Sequence, residues 1–341
     1  MNTKKNNITI SDLAKALGTT SSTVSRALNN HPKISNATKK KVREVAFNMG
    51  YINSIQAAIQ NNYNNKTVGI IVPTLAQTKY NIMLESARKT LENEGYNVII
   101  SCSSESTEQE QSIVRLFETL NIQGVIASLT YNDKKPAYFK ALSEHKPLVL
   151  FDRISFELTC NKVMIDHFQA GFRAVQHLLN NGCKRIAHLG GNYNCPLSRQ
   201  IARGYKTAIK NGGQTANPKL EVFSDYLLED VMAAIDIIFS QKEKPDAILI
   251  DDILAAQKLT SILQTRKILI PEDIAIIAIG DEKDYSYYSP SLTTIQLPYS
   301  KVGTSAATML IKQLKEKSGI QKNEIVVEPF HLNIRNSTLR N

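Results

Sequence analysis

The stretch from Ile10 to Tyr51, ISDLAKALGTTSSTVSRALNNHPKISNATKKKVREVAFNMGY, carries three successive helix signals and decides how the rest of the chain is read. Leu13, Ala14 and Leu17 recur at helical spacing and stop at Gly18, and Thr9 with Asp12 three positions on makes a capping-box arrangement. These residues predict a short first helix. Thr20, with Thr23 three residues later, caps a second helix whose Val24, Ala27 and Leu28 face inward and whose Ser21, Ser22, Ser25 and Arg26 face outward. Ser35 caps a third, with Val42, Val45, Ala46 and Met49 as the buried stripe and Lys39, Lys40, Lys41 and Arg43 outside. Two short helices across a turn, braced by a third, form a helix-turn-helix unit. Small polar groups beside one Arg on the second helix suit base edges, and the basic third helix suits phosphates.

Charge supports that reading. Residues 1–66 hold ten Lys and Arg against Asp12 and Glu44, a net +8 of the chain's formal +10. A segment so charged binds polyanions by releasing counterions, each neutralised duplex phosphate adding about 0.9 to the salt slope. The alternative is a solvated basic tail, but disordered tails do not carry three capped amphipathic segments in register.

At 341 residues and 42% hydrophobic, the chain has material for at least two folded units. No apolar run reaches the ~20 residues needed to span a bilayer, and no export signal follows the basic N-terminus, so a cytoplasmic protein without a membrane partner is expected. Cys102, Cys160, Cys183 and Cys195 form no CxxC pair and no ligand spacing with His, which predicts reduced structural thiols, no metal and no cofactor.

Residues 52–66, INSIQAAIQNNYNNK, read as a linker: a short helical patch from Ser54 to Gln60, then an Asn-rich break. From Thr67 onward TVGIIVP, GYNVIISC, GVIASL, PLVLFD, KVMID, RIAHLGG, DAILID and DIAIIAIG alternate with helical stretches, as in βα units. That is enough for two doubly wound parallel sheets with a cleft between them. Ligands in such folds bind beyond the carboxyl ends of the strands, where this chain places Gln77, Tyr80, Asp152, Arg153, Asp166, Asp251 and Asp281.

Head, linker and twin-sheet core together resemble the LacI/GalR family of bacterial transcription regulators over essentially the whole chain. TISDLAKALGTTSSTVSRALN matches the family's head signature and ISNATKKKVREVAFNMGY its third helix. DHFQAGFRAVQHLLNNGCKRIAHLGG matches the core motif, and RGYKTAI, IPEDIAII and SPSLTTIQLP follow in order. The resemblance implies a homodimer that inserts recognition helices into successive major grooves of a near-palindromic operator. By position Ser21, Ser22 and Arg26 face base edges, and Thr20, Ser25, Asn29 and Ser35 contact phosphates or sugars. It also implies a core like periplasmic sugar-binding proteins. The expected boundaries are a head at 1–51, a linker at 52–66 and an effector and dimerisation core at 67–341. Within the core, the N-subdomain takes 67–163 plus 293–323 and the C-subdomain 164–292 plus 324–341. An effector in the cleft would bias two subdomain orientations and so control a repressor's operator affinity.

Three departures from the family pattern shape the expectations. The linker lacks the usual proline and has Gln60 where the family places a leucine wedge, leaving Ile59 as the nearby apolar side chain, so a weaker DNA bend is expected. Ile201 stands where the family commonly has an Arg, with Arg199 nearby as a candidate substitute. Asp251 and Asp252 replace an Asn-Asp pair, and Ala278, Ile279 and Gly280 precede the retained Asp281. An acid-rich, arginine-poor pocket predicts a neutral, hydroxyl-rich effector, a sugar, unless Arg153 or Arg199 points inward.

Rival readings are a DNA-binding dimer whose core only dimerises or binds a protein co-regulator, an exported sugar-binding protein, and an enzyme on the α/β core. The basic head argues against export. For the enzyme there is no G-x-G-x-x-G after a strand, no P-loop, no G-x-S-x-G elbow and no HExxH, and His177 and His188 read as satisfied core histidines.

Overall fold

In the computed structural model, residues 8–28, 31–49, 51, 66–120, 122–131, 136–280, 289–316 and 323–339 are described. They divide into two compact units, one up to Lys66 and one from Thr67 onward.

The first unit is helical: α1 (Ile10–Leu17), α2 (Ser21–Leu28) and α3 (Asn36–Asn48). Both halves of the Thr9–Asp12 capping box form, and Gly18 ends α1 in the left-handed conformation at φ 61°. The amide of Thr23 donates to Thr20 Oγ1 at 3.3 Å and that of Thr38 to Ser35 Oγ at 3.2 Å, so all three expected caps are present. Leu13, Val24, Ala27, Val42 and Ala46 bury their side chains together, with Val45 and Met49 half-buried at the edge. That shared core is what lets helices of eight residues persist, since isolated helices of this length are unstable in water.

The second unit holds two six-stranded sheets. The first half of the chain supplies β1 (Thr67–Val72), α4 (Thr78–Asn93), β2 (Asn97–Cys102), α5 (Thr107–Thr119), β3 (Val125–Ala127), α6 (Ala137–Ser143), β4 (Leu148–Phe151) and β5 (Asn161–Ile165). The second supplies α7 (His167–Asn180), β6 (Ile186–Gly190), α8 (Pro196–Asn211), β7 (Glu221–Phe223), α9 (Leu228–Phe239), β8 (Ala247–Ile250), α10 (Ile253–Thr265) and β9 (Ala275–Gly280). The chain closes with β10 (Thr293–Gln296), α11 (Tyr299–Lys315), β11 (Ile325–Glu328) and β12 (His331–Asn333). Strand order is β11-β5-β4-β3-β1-β2 in one sheet and β12-β10-β9-β8-β6-β7 in the other. The central strands β1, β3, β4, β6, β8 and β9 are almost wholly buried, which is why they read as continuous apolar runs and not as alternating ones.

Two boundaries differ from the sequence reading. Residues 293–296, expected in the N-subdomain, form β10, which pairs with β9 in the second sheet. Residues 325–328, expected in the C-subdomain, form β11, which pairs with β5 in the first. The reason lies in where the chain crosses. It leaves the first sheet after β5, returns after β10 so that α11 packs on α4, and leaves again after β11. Gly303 permits that packing, because a Cβ there would lie 2.1 Å from the carbonyl oxygen of Met83. The sheets are also not wholly parallel, since β12 runs antiparallel to β10.

Candidate functional site

On the first unit, α2 turns Ser21, Ser22 and Arg26 to solvent and buries Val24 and Ala27. Ser25 is half-buried on the flank and Ser35 is exposed at the start of α3, followed by exposed Lys40, Lys41 and Arg43. The outward face is therefore hydroxyls and cations. Asn29, Ile59 and Gln60 lie outside the described residues.

In the second unit a cavity of about 700 Å³ opens between the ends of β3, β4 and β5 and the first turns of α7 and α8. Its walls come from both sheets' layers: Thr130, Tyr131, Asp152 and Arg153 from one, Phe168 and Gln200 from the other. Asp166 lines it while capping α7, its side chain accepting from the Gln169 amide at 2.9 Å. The α7 and α8 ends meet there because glycines let the two helices touch. A Cβ on Gly171 would lie 2.4 Å from the Ile201 carbonyl oxygen.

Asp152 and Arg153 form the polar floor. The buried Asp152 Oδ2 accepts from Lys79 Nζ at 2.8 Å and from the Tyr80 hydroxyl at 3.0 Å. Burial opposes ionisation of Asp152, but the charges of Lys79 and Arg153 and the Lys79 hydrogen bond outweigh it, and its carboxyl is held below the usual range. Arg153 donates through Nη1 to both carboxylate oxygens of Glu105, at 2.7 and 2.9 Å. Its guanidinium lies 5.3 Å from the Tyr131 ring centre and 5.9 Å from that of Tyr80. Burial opposes its charge, yet Tyr80, Cys195, Asp152 and Glu105 raise its pKa overall. Three buried atoms of these cavity residues have no hydrogen-bond partner: Thr130 Oγ1, Asp152 Oδ1 and Arg153 Nε.

His167 closes the floor. Its Nδ1 lies 3.0 Å from the Ile165 carbonyl, which can only accept, so Nδ1 carries the proton. Burial lowers its pKa, which keeps the imidazole neutral near pH 7.

Not every expected residue reaches this cavity. Tyr80 stands behind the wall, holding Asp152. Gln77 is exposed at the start of α4 with no side-chain cap. Arg199 turns away and donates to the carbonyls of Tyr193 and Asn194, at 3.0 and 2.7 Å, so it does not replace the missing arginine. Asp251 Oδ1 accepts from His188 Nε2 at 2.9 Å, beside a buried Tyr226 hydroxyl that has no hydrogen-bond partner. His188 is therefore only half satisfied, because its Nδ1 has no partner either, whereas His177 Nε2 meets Thr338 Oγ1 at 2.9 Å. Asp281 lies outside the described residues. The pocket is also not arginine-poor, since Arg153 lines it. Among the described residues no cluster of His, Cys, Asp and Glu fits a metal ion, and no helix is long and apolar enough to cross a membrane.

Sequence models place these units. Residues 9–54 match the bacterial regulatory proteins of the lacI family, and residues 175–338 match a periplasmic binding protein-like domain. The chain belongs to the LacI family. Catabolite control protein A of Priestia megaterium is 27% identical over 97% of this chain and 99% of its own length. The transcriptional repressor CytR of Escherichia coli K12 is 27% identical over 90% of each. The solved complex of the regulator CelR with cellobiose has a TM-score of 0.70 at 20% identity, covering 97% of this chain and 99% of that one, which establishes the shared fold. This LacI-family protein is a DNA-binding transcription regulator and not an enzyme.

Thr130, Tyr131, His167, Phe168 and Gln200 were missed as cavity residues from sequence. His167 and Phe168 were within reach, since they follow Asp166 at a strand end. Thr130 and Tyr131 follow the short β3, and Gln200 lies one turn into α8, where nothing in sequence marks the exposed face.

Proposed function

We propose that the protein is a ligand-controlled repressor that binds a near-palindromic operator as a homodimer and takes a neutral, hydroxyl-rich small molecule, a sugar, in the cleft. The observation that carries the ligand class is the state of the cavity's charges. Asp152 is paired with Lys79 and Arg153 with Glu105, yet Thr130 Oγ1, Asp152 Oδ1 and Arg153 Nε are buried without partners. Leaving such atoms unpaired costs about 1–3 kcal/mol each, which hydroxyl groups relieve without importing charge. Tyr131 and Phe168 add half-buried aromatic faces for the apolar side of a sugar ring. A volume near 700 Å³ lies within the ordinary range for small-molecule sites. The cellobiose bound by CelR is in keeping with this class.

On DNA, Ser21, Ser22 and Arg26 would read base edges while Thr20, Ser25 and Ser35, with Asn29, would set register on the backbone. Gln60 and Ile59 would take the linker's minor-groove role with a weaker bend. The head corresponds to residues 1–51, the linker to 52–66 and the effector and dimerisation core to 67–341.

Thermal unfolding of the full chain against neutral mono- and disaccharides, sugar acids, sugar phosphates and nucleosides tests the ligand class. A bound neutral sugar at 100 times its dissociation constant adds about 2.7 kcal/mol and raises the melting temperature by several degrees. A response confined to phosphorylated or acidic compounds overturns the neutral-ligand reading, and a blank across the panel favours a core that only dimerises or meets a protein co-regulator.

A further inference from the structure

Arg153 is a buried guanidinium at the edge of a ligand cavity, and such a group ordinarily selects carboxylate or phosphate. Here a carboxylate of the same chain already meets it. Glu105 reaches Arg153 across 48 residues, and both of its oxygens crowd onto the one Nη1 nitrogen. That is not the parallel two-nitrogen fork by which arginine usually holds an acid, and it leaves Nε buried without a partner. The charge is cancelled while donor capacity remains.

The backbone is arranged to put Glu105 there. Ser104 and Glu105 follow β2 with φ of 50° and 59°, and Asp152 beside Arg153 has φ 58°, all three in the left-handed region that non-glycine residues rarely occupy. Such backbone is strained, and residues of this kind concentrate at ligand clamps. The Glu105 amide donates to the Pro73 carbonyl at 3.0 Å, which ties this turn to the end of β1. Glu105 is not among the residues lining the cavity, so it acts on the ligand through the potential it sets at Arg153.

We propose that Glu105 is a specificity-determining residue: it neutralises Arg153 from behind the cavity wall, so that the cleft rejects anionic ligands and offers Arg153 to hydroxyls. This rests on the cleft being the ligand site and explains why a pocket containing an arginine takes a neutral compound. An anion entering beside Arg153 would have to displace Glu105 or lie next to its charge. Both are unfavourable where solvent screening is weak.

The test is calorimetric titration of the full chain with inorganic phosphate, glucuronate and glucose, comparing wild type with Glu105→Gln. The variant keeps the size and one acceptor oxygen but removes the charge. Phosphate and glucuronate are expected to bind Glu105→Gln about tenfold or more tighter than wild type, and adding Arg153→Gln is expected to abolish the gain. Equal anion affinity in wild type and Glu105→Gln overturns the proposal, as does a gain that survives Arg153→Gln. If Glu105→Gln does not fold, Glu105→Asn serves with the same expectations, because Asn tolerates left-handed backbone. A wild type that ignores every neutral sugar while Glu105→Gln gains anions defeats the neutral-ligand reading and supports the role of Glu105. A wild type that binds neutral sugars beside a variant that gains no anion does the reverse.

Discussion

Gly204 of α8 rests so closely on Phe168 of α7 that a Cβ at Gly204 would lie 2.1 Å from the Phe168 carbonyl oxygen. Phe168 is a wall of the cavity, and the first turn of α8 is another, so this backbone contact sets the width of the site from below. Gly204→Ala must push the helices apart against rigid main chain, and overpacking of this kind costs about 1–3 kcal/mol. The expected result is a lower urea midpoint for the core, together with weakened binding of whichever compound stabilises wild type. An unchanged midpoint would show that the helices separate freely.

Lys79 is the cation that makes a buried, ionised Asp152 tolerable, at 2.8 Å and with the carboxylate side chain 1% exposed. Lys79→Met is expected to destabilise the core by about 3 kcal/mol, because a lone buried charge costs more than the pair contributes. Asp152→Asn should cost less, since it removes the charge that needs compensation. Urea unfolding of both variants checks the order, and Asp152→Asn proving the more damaging would contradict it.

Stability should fall on mild acidification. Burial lowers the pKa of both His167 and His177 from the ordinary value of 6.5. Below about pH 6.5 the unfolded chain takes up protons that the folded chain refuses until lower pH, so unfolding gains and the melting temperature drops through that window. Above it, neither histidine contributes to the slope. Asp152 acts further down: its carboxyl is held below its usual range, so the stability it lends is present above its ordinary pKa of 3.8 and is lost as pH falls through the folded value. A melting temperature that stays level from about pH 7 to pH 5 would be the contrary outcome. His177→Gln should flatten part of the upper slope.

On the head, Arg26 and the lysines of α3 should separate by phenotype. Arg26→Ala is expected to cost about 1–3 kcal/mol on a duplex recovered by selection from random sequence and to relax preference at one position of each half-site. Lys40→Ala and Lys41→Ala should weaken all sequences alike and lower the salt slope by about one for each phosphate no longer neutralised. Fluorescence anisotropy at several salt concentrations distinguishes the two patterns.

Legibility from sequence followed the strength of local signals. The capped helices of the head were readable because Thr9, Thr20 and Ser35 sit three residues before their partners, and strands β1 to β6, β8 and β9 because Val and Ile runs such as IVP and AILI are bounded by turns. The three-residue β7 and β12 are not, since EVF and HLN carry no apolar run of the kind that marks the equally short β3, and the residues of β10 and β11 fall in the wrong expected subdomains because nothing in TTIQ or IVVE states which edge is open. Strand-end position is enough to bring Asp152, Arg153 and Asp166 to the wall of the cavity, since topology alone sends those residues there. The direction of a long side chain is another matter. Arg199 turns to nearby carbonyls, and Glu105 reaches a partner 48 residues away, through turns that only the folded chain brings together.

The interleaving of the two sheets bears on the order in which the chain can fold as it leaves the ribosome. Strands β1 to β5 emerge early, but β5 keeps an unpaired edge until residues 325–328 arrive, after almost all of the second sheet has been made. The nascent first lobe therefore keeps an open edge while most of the second sheet is made, the kind of surface that recruits other strands. Asn161, whose side chain accepts from the Glu324 amide at 2.8 Å, helps close that edge when the last strand docks. Completion of both lobes is thus tied to the arrival of residues 325–333, and a ribosome stalled before residue 325 would hold two unfinished lobes instead of one finished and one pending.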